Sequence, residues 1–178
     1  IERLSELVKV DFRLGISEFY GSSTKIEWEN DIKGVTIIVP LDKVIGKLRR
    51  RIYKAKSVFF RKKGYRTFLG TLIQKKDLAQ WGRLVAQWKK DIEETKEEYK
   101  KKRAEIQQNL KKFTENRQYY SDVDLPLELV FKPVEIRQKF VLPELVEVYN
   151  SEELEQKRKE IEEQIIAECR TSIKEHLV

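Results

Sequence analysis

Methionine is missing from this 178-residue chain, and cysteine and histidine occur once each, as Cys169 and His176. One cysteine excludes an intrachain disulfide, and one imidazole leaves no ligand set for a zinc site. Seven residues apart on a helix, Cys169 and His176 would be separated by about 10 Å along the axis, whereas proton transfer needs about 3 Å, so they form no thiol–imidazole dyad. The plain expectation is that Cys169 is a small buried hydrophobe and His176 a frayed terminal residue. Long apolar runs are also missing: none approaches the roughly 20 residues that span a bilayer, and no segment has the order of a signal peptide. No membrane span is expected and a cytoplasmic setting is the default, although a chain with no methionine leaves its natural start, and any signal carried there, outside that reading.

Catalytic motifs are equally scarce. Gly21 to Lys25 reads Gly-Ser-Ser-Thr-Lys, but it lacks the spacing of a phosphate-binding loop and no helical pattern follows, so a hairpin turn is expected. Scattered carboxylates need no local motif, and Asp11, Glu18, Glu27 and Asp31 are the candidates for a carboxylate–metal nuclease. The preferred reading is that the chain is not an enzyme and takes no cofactor or metal.

What the chain has in quantity is charge, and one sign of it is segregated. From Lys43 to Lys76 there are thirteen Lys and Arg and no Asp or Glu, while the whole chain carries only +7, so the other 144 residues sum to −6. Solubility alone favours interspersed signs. In this segment Leu41, Ile45, Leu48, Ile52, Ala55 and Phe59 recur at helical steps, which predicts a helix over 41–63 with one buried stripe. Pro40 suits its entrance, and Gly64 a left-handed exit. Lys43, Lys47, Arg50, Lys54 and Arg61 form a second face, widened by Arg49, Lys56 and Lys63. Beyond it, 66–73 reads as a strand or a loop.

Lys and Arg displace counterions from a nucleic-acid backbone, and aromatics among them stack on exposed bases. The residues expected to bind nucleic acid are Lys47, Arg50, Arg51, Lys54, Arg61, Lys62, Lys63, Tyr65 and Arg66, with Tyr65 as the stacking candidate. Tyr53, Phe59 and Phe60 are assigned to the core. The competing reading is a solvated face whose acidic partners lie in the same chain, in the Glu-rich C-terminal helix, or on an acidic protein; anionic lipid is a further class of partner.

From Asp77, a suitable N-cap, a helical pattern runs to about Tyr119. Leu78, Val85, Ile92, Tyr99, Ile106, Phe113 and Tyr120 fall at strict seven-residue intervals, the seam of a helix that supercoils against another. The companion seam positions begin with Trp81 and Trp88 but continue as Thr95, Lys102, Asn109 and Asn116, which predicts an anchored first half and an exposed second half. The last helix, starting near Asn150 or Ser151 with Leu154, Ile161, Ile165, Cys169, Ile173 and Leu177 on one face, is the expected antiparallel partner. A homo-oligomeric coiled coil is the rival. Glu93 to Glu98 reads as a solvated ion-pair face.

Val10, Phe12 and Leu14 alternate with charged residues, and 24–28 and 35–39 make two further short strands around turn formers such as Asn30 and Gly34. Over 122–149, three prolines and the β-type runs 127–131 and 134–142 add either strands or a rigid connection.

These patterns predict a helix-dominated α+β fold: a small antiparallel sheet, a basic amphipathic helix and a long coiled-coil-like antiparallel helical hairpin. Residues 1–76 hold the sheet and basic helix, and 77–178 the long helix, the proline-broken connection and the C-terminal helix, packed with the first part as one domain with a projecting arm. The expected function is that of an accessory subunit of a larger assembly, holding nucleic-acid backbone through the basic helix and a protein partner through the hairpin. The alternative is a coiled-coil adaptor or structural assembly protein whose basic segment docks an acidic protein surface.

Overall fold

The computed structural model describes residues 2–16, 23–27, 35–38, 41–113, 118–121 and 126–177. Glu18, Gly21, Asn30, Asp31, Gly34, Pro40 and Asn116 lie outside them. The elements in chain order are α1 (Glu2–Ser5), β1 (Leu7–Arg13), β2 (Ser23–Glu27), β3 (Val35–Ile38), α2 (Leu41–Lys63), β4 (Tyr65–Thr67), β5 (Gly70–Gln74), a 3-10 turn (Lys75–Asp77), α3 (Leu78–Phe113), β6 (Gln118–Ser121), α4 (Leu127–Val130), β7 (Glu135–Phe140), α5 (Val141–Val148) and α6 (Ser151–Leu177). The fold is α+β and dominated by helices, as the patterning predicts. The described chain forms two compact units: Ile1–Arg13, Lys54–Val85 and Glu135–Val178 make the first, and Leu14–Tyr53 with Ala86–Val134 the second.

In the first unit, an antiparallel four-stranded sheet has the order β4-β5-β1-β7. Alternation along β1 puts Val8, Val10 and Phe12 on one face, where all three are buried. The register Val8↔Ile73 adds buried Ile73 from β5 to that layer. On the opposite face, Leu7 and Leu72 join Leu4 of α1, Val141 and Leu145 of α5, and Ile161 of α6 in one apolar cluster, with Leu154 and Ile165 at its margin. Each such side chain contributes roughly 1.5–3 kcal/mol when fully buried. The segment 66–73 is resolved as the β4–β5 hairpin. β7 pairs with β1 from Val8↔Phe140 to Arg13↔Glu135, so the proline-rich stretch does add a strand to the sheet.

The segments of α2 and α3 in this unit meet through aromatics. Phe60 stacks on buried Trp81 with centroids 5.4 Å apart, and Phe59 lies 5.5 Å from the same ring. Gly64 closes α2 by donating its N–H to the Phe60 carbonyl at 2.8 Å. Its φ is not left-handed, contrary to the expectation: a Cβ there would lie 2.8 Å from the Phe60 carbonyl oxygen, so close approach selects the glycine. At the start of α6, Asn150 Oδ1 accepts from the N–H groups of Glu152 and Glu153 at 3.1 and 2.9 Å. The Asn150 N–H donates to Glu153 at 3.1 Å, which completes a reciprocal capping box.

In the second unit, a three-stranded antiparallel sheet has the order β3-β2-β6. Val44 and Ile45 of α2 and Tyr99 of α3 form a core with Val130 and Phe131, flanked by Ile16, Ile106 and Leu127. Tyr99 meets Phe131 edge-on at 5.4 Å. Gly15 donates no side chain here for a steric reason, since a Cβ would overlap the backbone carbonyls of Lys132 and Pro133.

Four expectations change. The second half of α3 is not an exposed arm, because buried Tyr99 and Leu110 and partly buried Ile106 carry apolar packing past the polar seam positions. The described part of α3 reaches Phe113, and Tyr120 belongs to β6, so the last seam repeat is a strand residue. The helix found against α3 is α2: Phe59 and Phe60 meet Trp81 in the first unit, and Val44 and Ile45 share a core with Tyr99 in the second. The C-terminal helix packs on the four-stranded sheet, and the β-type run 127–131 begins as the helical turn α4.

Candidate nucleic-acid interface

The 3.6-residue period of α2 turns Ile45, Leu48, Ile52 and Phe59 inward, where each is buried, and leaves Lys43, Lys47, Arg50, Lys54 and Arg61 exposed on the opposite face. Lys47, Lys54 and Arg61 stand at seven-residue intervals, about 10 Å apart along the axis. Lys47, Arg50 and Arg51 lie on the part of α2 that belongs to the second unit, and Lys54, Arg61, Lys62, Lys63, Tyr65 and Arg66 belong to the first.

Some of this charge has internal partners. In the second unit, Arg51 lies 3.7 Å from Asp91, a buried carboxylate that also accepts from Gln87 at 2.9 Å. In the first, Lys63 lies 3.7 Å from buried Asp77. Lys56 donates to Asp11 Oδ1 and to the Phe12 carbonyl, each at 2.9 Å, which ties α2 to the end of β1. Burial pushes the Asp11 carboxyl up, but the Lys56 hydrogen bond and charge, the Phe12 N–H and Arg13 outweigh it and hold it below its ordinary value of 3.8. Among the described residues, Asp11, Asp77 and Asp91 are the carboxylates seen to pair with the basic segment. Three glutamates of α6 instead pair along their own helix, Glu155 and Glu162 with Arg158 and Glu160 with Lys157.

What remains in the first unit is a set of exposed cations, Lys54, Arg61, Lys62 and Arg66, to which no carboxylate among the described residues is paired. Arg61 and Lys62 end α2, where cations complement the helix dipole, and Arg66 follows on β4 after a turn at Gly64. On the second unit's part of α2, Lys47 and Arg50 are exposed likewise, with Arg50 Nε reaching the Gly46 carbonyl at 3.3 Å.

Tyr65 does not stand free as a stacking platform. Its hydroxyl accepts from Gln74 Nε2 at 3.1 Å, and its half-buried ring lines a cleft of about 400 Å³ with Leu4, Leu7, Ile161 and Ile165. Two aromatics of the basic segment are exposed: Phe68, at 43% in the β4–β5 turn, and Tyr53 on α2, at 38%, which is therefore not the core residue its spacing implies.

Of the carboxylates considered for metal chemistry, Asp11 is engaged by Lys56 and Arg13, and no group of three His, Cys, Asp or Glu among the described residues is arranged to hold a metal ion. Cys169 is exposed, so it is not the buried hydrophobe its helical position implies. No described helix is long and apolar enough to cross a membrane. No protein-family model matches the chain, and neither a curated protein nor a solved structure does so.

Proposed function

We propose that the chain is a non-enzymatic accessory subunit that holds a nucleic-acid backbone through the exposed face of α2 and the adjoining β4, and docks a protein partner through its helices. The observation that carries this reading is the division of the basic segment by partner. Half-buried Lys56 and Lys63 and exposed Arg51 each meet an aspartate, while Lys54, Arg61, Lys62 and Arg66 are exposed and paired with no carboxylate among the described residues. A surface needing only solubility would carry both signs, whereas phosphate binding needs cations free to displace condensed counterions. Exposed Val146 and Val148 on α5 and Ile166 on α6 are apolar helix surface suited to a protein contact.

A second reading, an adaptor whose basic segment docks an acidic protein, is favoured by Val58. It is 38% exposed and sits one helical turn from both Lys54 and Arg61, an apolar centre that a protein interface uses and a phosphate backbone does not. Fluorescence anisotropy with labelled single-stranded and duplex oligonucleotides separates the two. The wild type is expected to bind at low salt, and the variant with Lys54, Arg61, Lys62 and Arg66 all changed to Glu is expected to lose that binding with its circular dichroism unchanged. Absence of wild-type binding to either oligonucleotide at low salt overturns the nucleic-acid reading in favour of the acidic-protein one.

A further inference from the structure

The phosphate contacts proposed above carry no distinction between single and double strands; the turn that follows them does. Phe68 lies two residues beyond exposed Arg66, between β4 and β5, with 43% of its surface open to solvent. Its mount is rigid. The Phe68 N–H donates to Gln164 Oε1 of α6 at 3.0 Å, the Thr67 hydroxyl donates to the Gly70 carbonyl at 2.9 Å, and the Leu69 N–H donates to Thr67 Oγ1 at 3.3 Å. The Lys157 ammonium lies 5.0 Å from the Phe68 ring centroid and 5.6 Å from that of Tyr149, and Glu160 holds the same ammonium at 3.3 Å.

A turn of this kind needs no large apolar side chain, and a partly exposed phenyl ring, with the Lys157 ammonium 5.0 Å from its centroid and its backbone N–H tied to α6, loses less freedom on ligand binding than a ring on an untethered loop. An unpaired nucleobase suits it: the base stacks on the ring face while its flanking phosphates reach Arg66 and Lys157. A duplex buries its base faces within its own stack and has nothing to place there.

Resting on the phosphate-binding reading, we infer that the ligand of this surface is single-stranded nucleic acid, with Phe68 as the base-stacking residue and Arg66, two residues before it, among the phosphate-contacting cations. The test uses the full chain, a labelled oligothymidylate strand and its duplex with oligodeoxyadenylate. Phe68→Ala is expected to weaken single-strand binding about tenfold or more and leave duplex binding unchanged. Phe68→Trp is expected to restore it and to add a tryptophan fluorescence signal that the strand quenches. Single-strand binding by Phe68→Ala equal to wild type, or an equal loss on both oligonucleotides, overturns the stacking assignment while the phosphate reading stands. If the wild type binds neither, the phosphate reading itself fails and this inference with it.

Discussion

Lys56 shows how a single residue in a basic run is converted from surface charge to structure. Its ammonium is shared between the Asp11 carboxylate and the Phe12 carbonyl, and Asp11 in turn accepts from the Phe12 N–H and Arg13. Partial exposure limits such a pair to about 1 kcal/mol. Because the folded Asp11 carboxyl titrates below its ordinary value of 3.8, its contribution is complete above that value and disappears as pH falls through the lower folded value. Lys56→Gln is therefore expected to lower stability by about 1 kcal/mol at neutral pH, with the difference from wild type shrinking below about pH 4. Urea unfolding of both proteins at neutral and acidic pH measures this, and a difference that grows on acidification contradicts it. None of these pairings is legible in the sequence: Asp11, Asp77 and Asp91 stand at separate points of the chain, and a local count cannot show which cations of an uninterrupted run turn inward.

Elements were readable where the signal is periodic or stereochemical. The stripe Ile45, Leu48, Ile52, Phe59 places α2 correctly, and Asn150 with Glu152 and Glu153 marks the start of α6 because its cap is built from local hydrogen bonds. Asn150→Ala is expected to lower stability by about 1 kcal/mol, with Asn150→Asp close to wild type; thermal unfolding followed by circular dichroism checks the pair. Where the fold depends on distant partners, reading fails in specific ways. The seven-residue repeat carries on through Tyr120, yet that residue pairs with Lys25 in a strand. Thr95, Lys102 and Asn109 interrupt the seam, yet Tyr99 is fully buried because Val44, Ile45, Val130 and Phe131 come from elsewhere in the sequence to cover it. The pairing of Val8 with Phe140 joins opposite ends of the chain, which no local pattern announces.

At the scale of the molecule, the segregation of charge was visible from composition, and the structure divides it into cations that have carboxylate partners among the described residues and cations that have none there. That division refines the candidate site: Lys63 and Arg51 are tied to buried aspartates and Tyr65 to Gln74, whereas Lys54, Arg61, Lys62 and Arg66 remain open, and Phe68 replaces Tyr65 as the stacking candidate. If phosphate contacts dominate, affinity must fall with salt in proportion to the number of those open cations. The measurement that tests this most directly is the slope of log affinity against log salt concentration for an oligothymidylate strand, compared between the wild type and a variant with Lys54, Arg61, Lys62 and Arg66 changed to Gln. Each single-strand phosphate contact contributes about 0.7 to the slope, so the variant is expected to be shallower by roughly 3. A wild-type slope near zero, or one that the four substitutions leave unchanged, would contradict a phosphate-binding role for this surface.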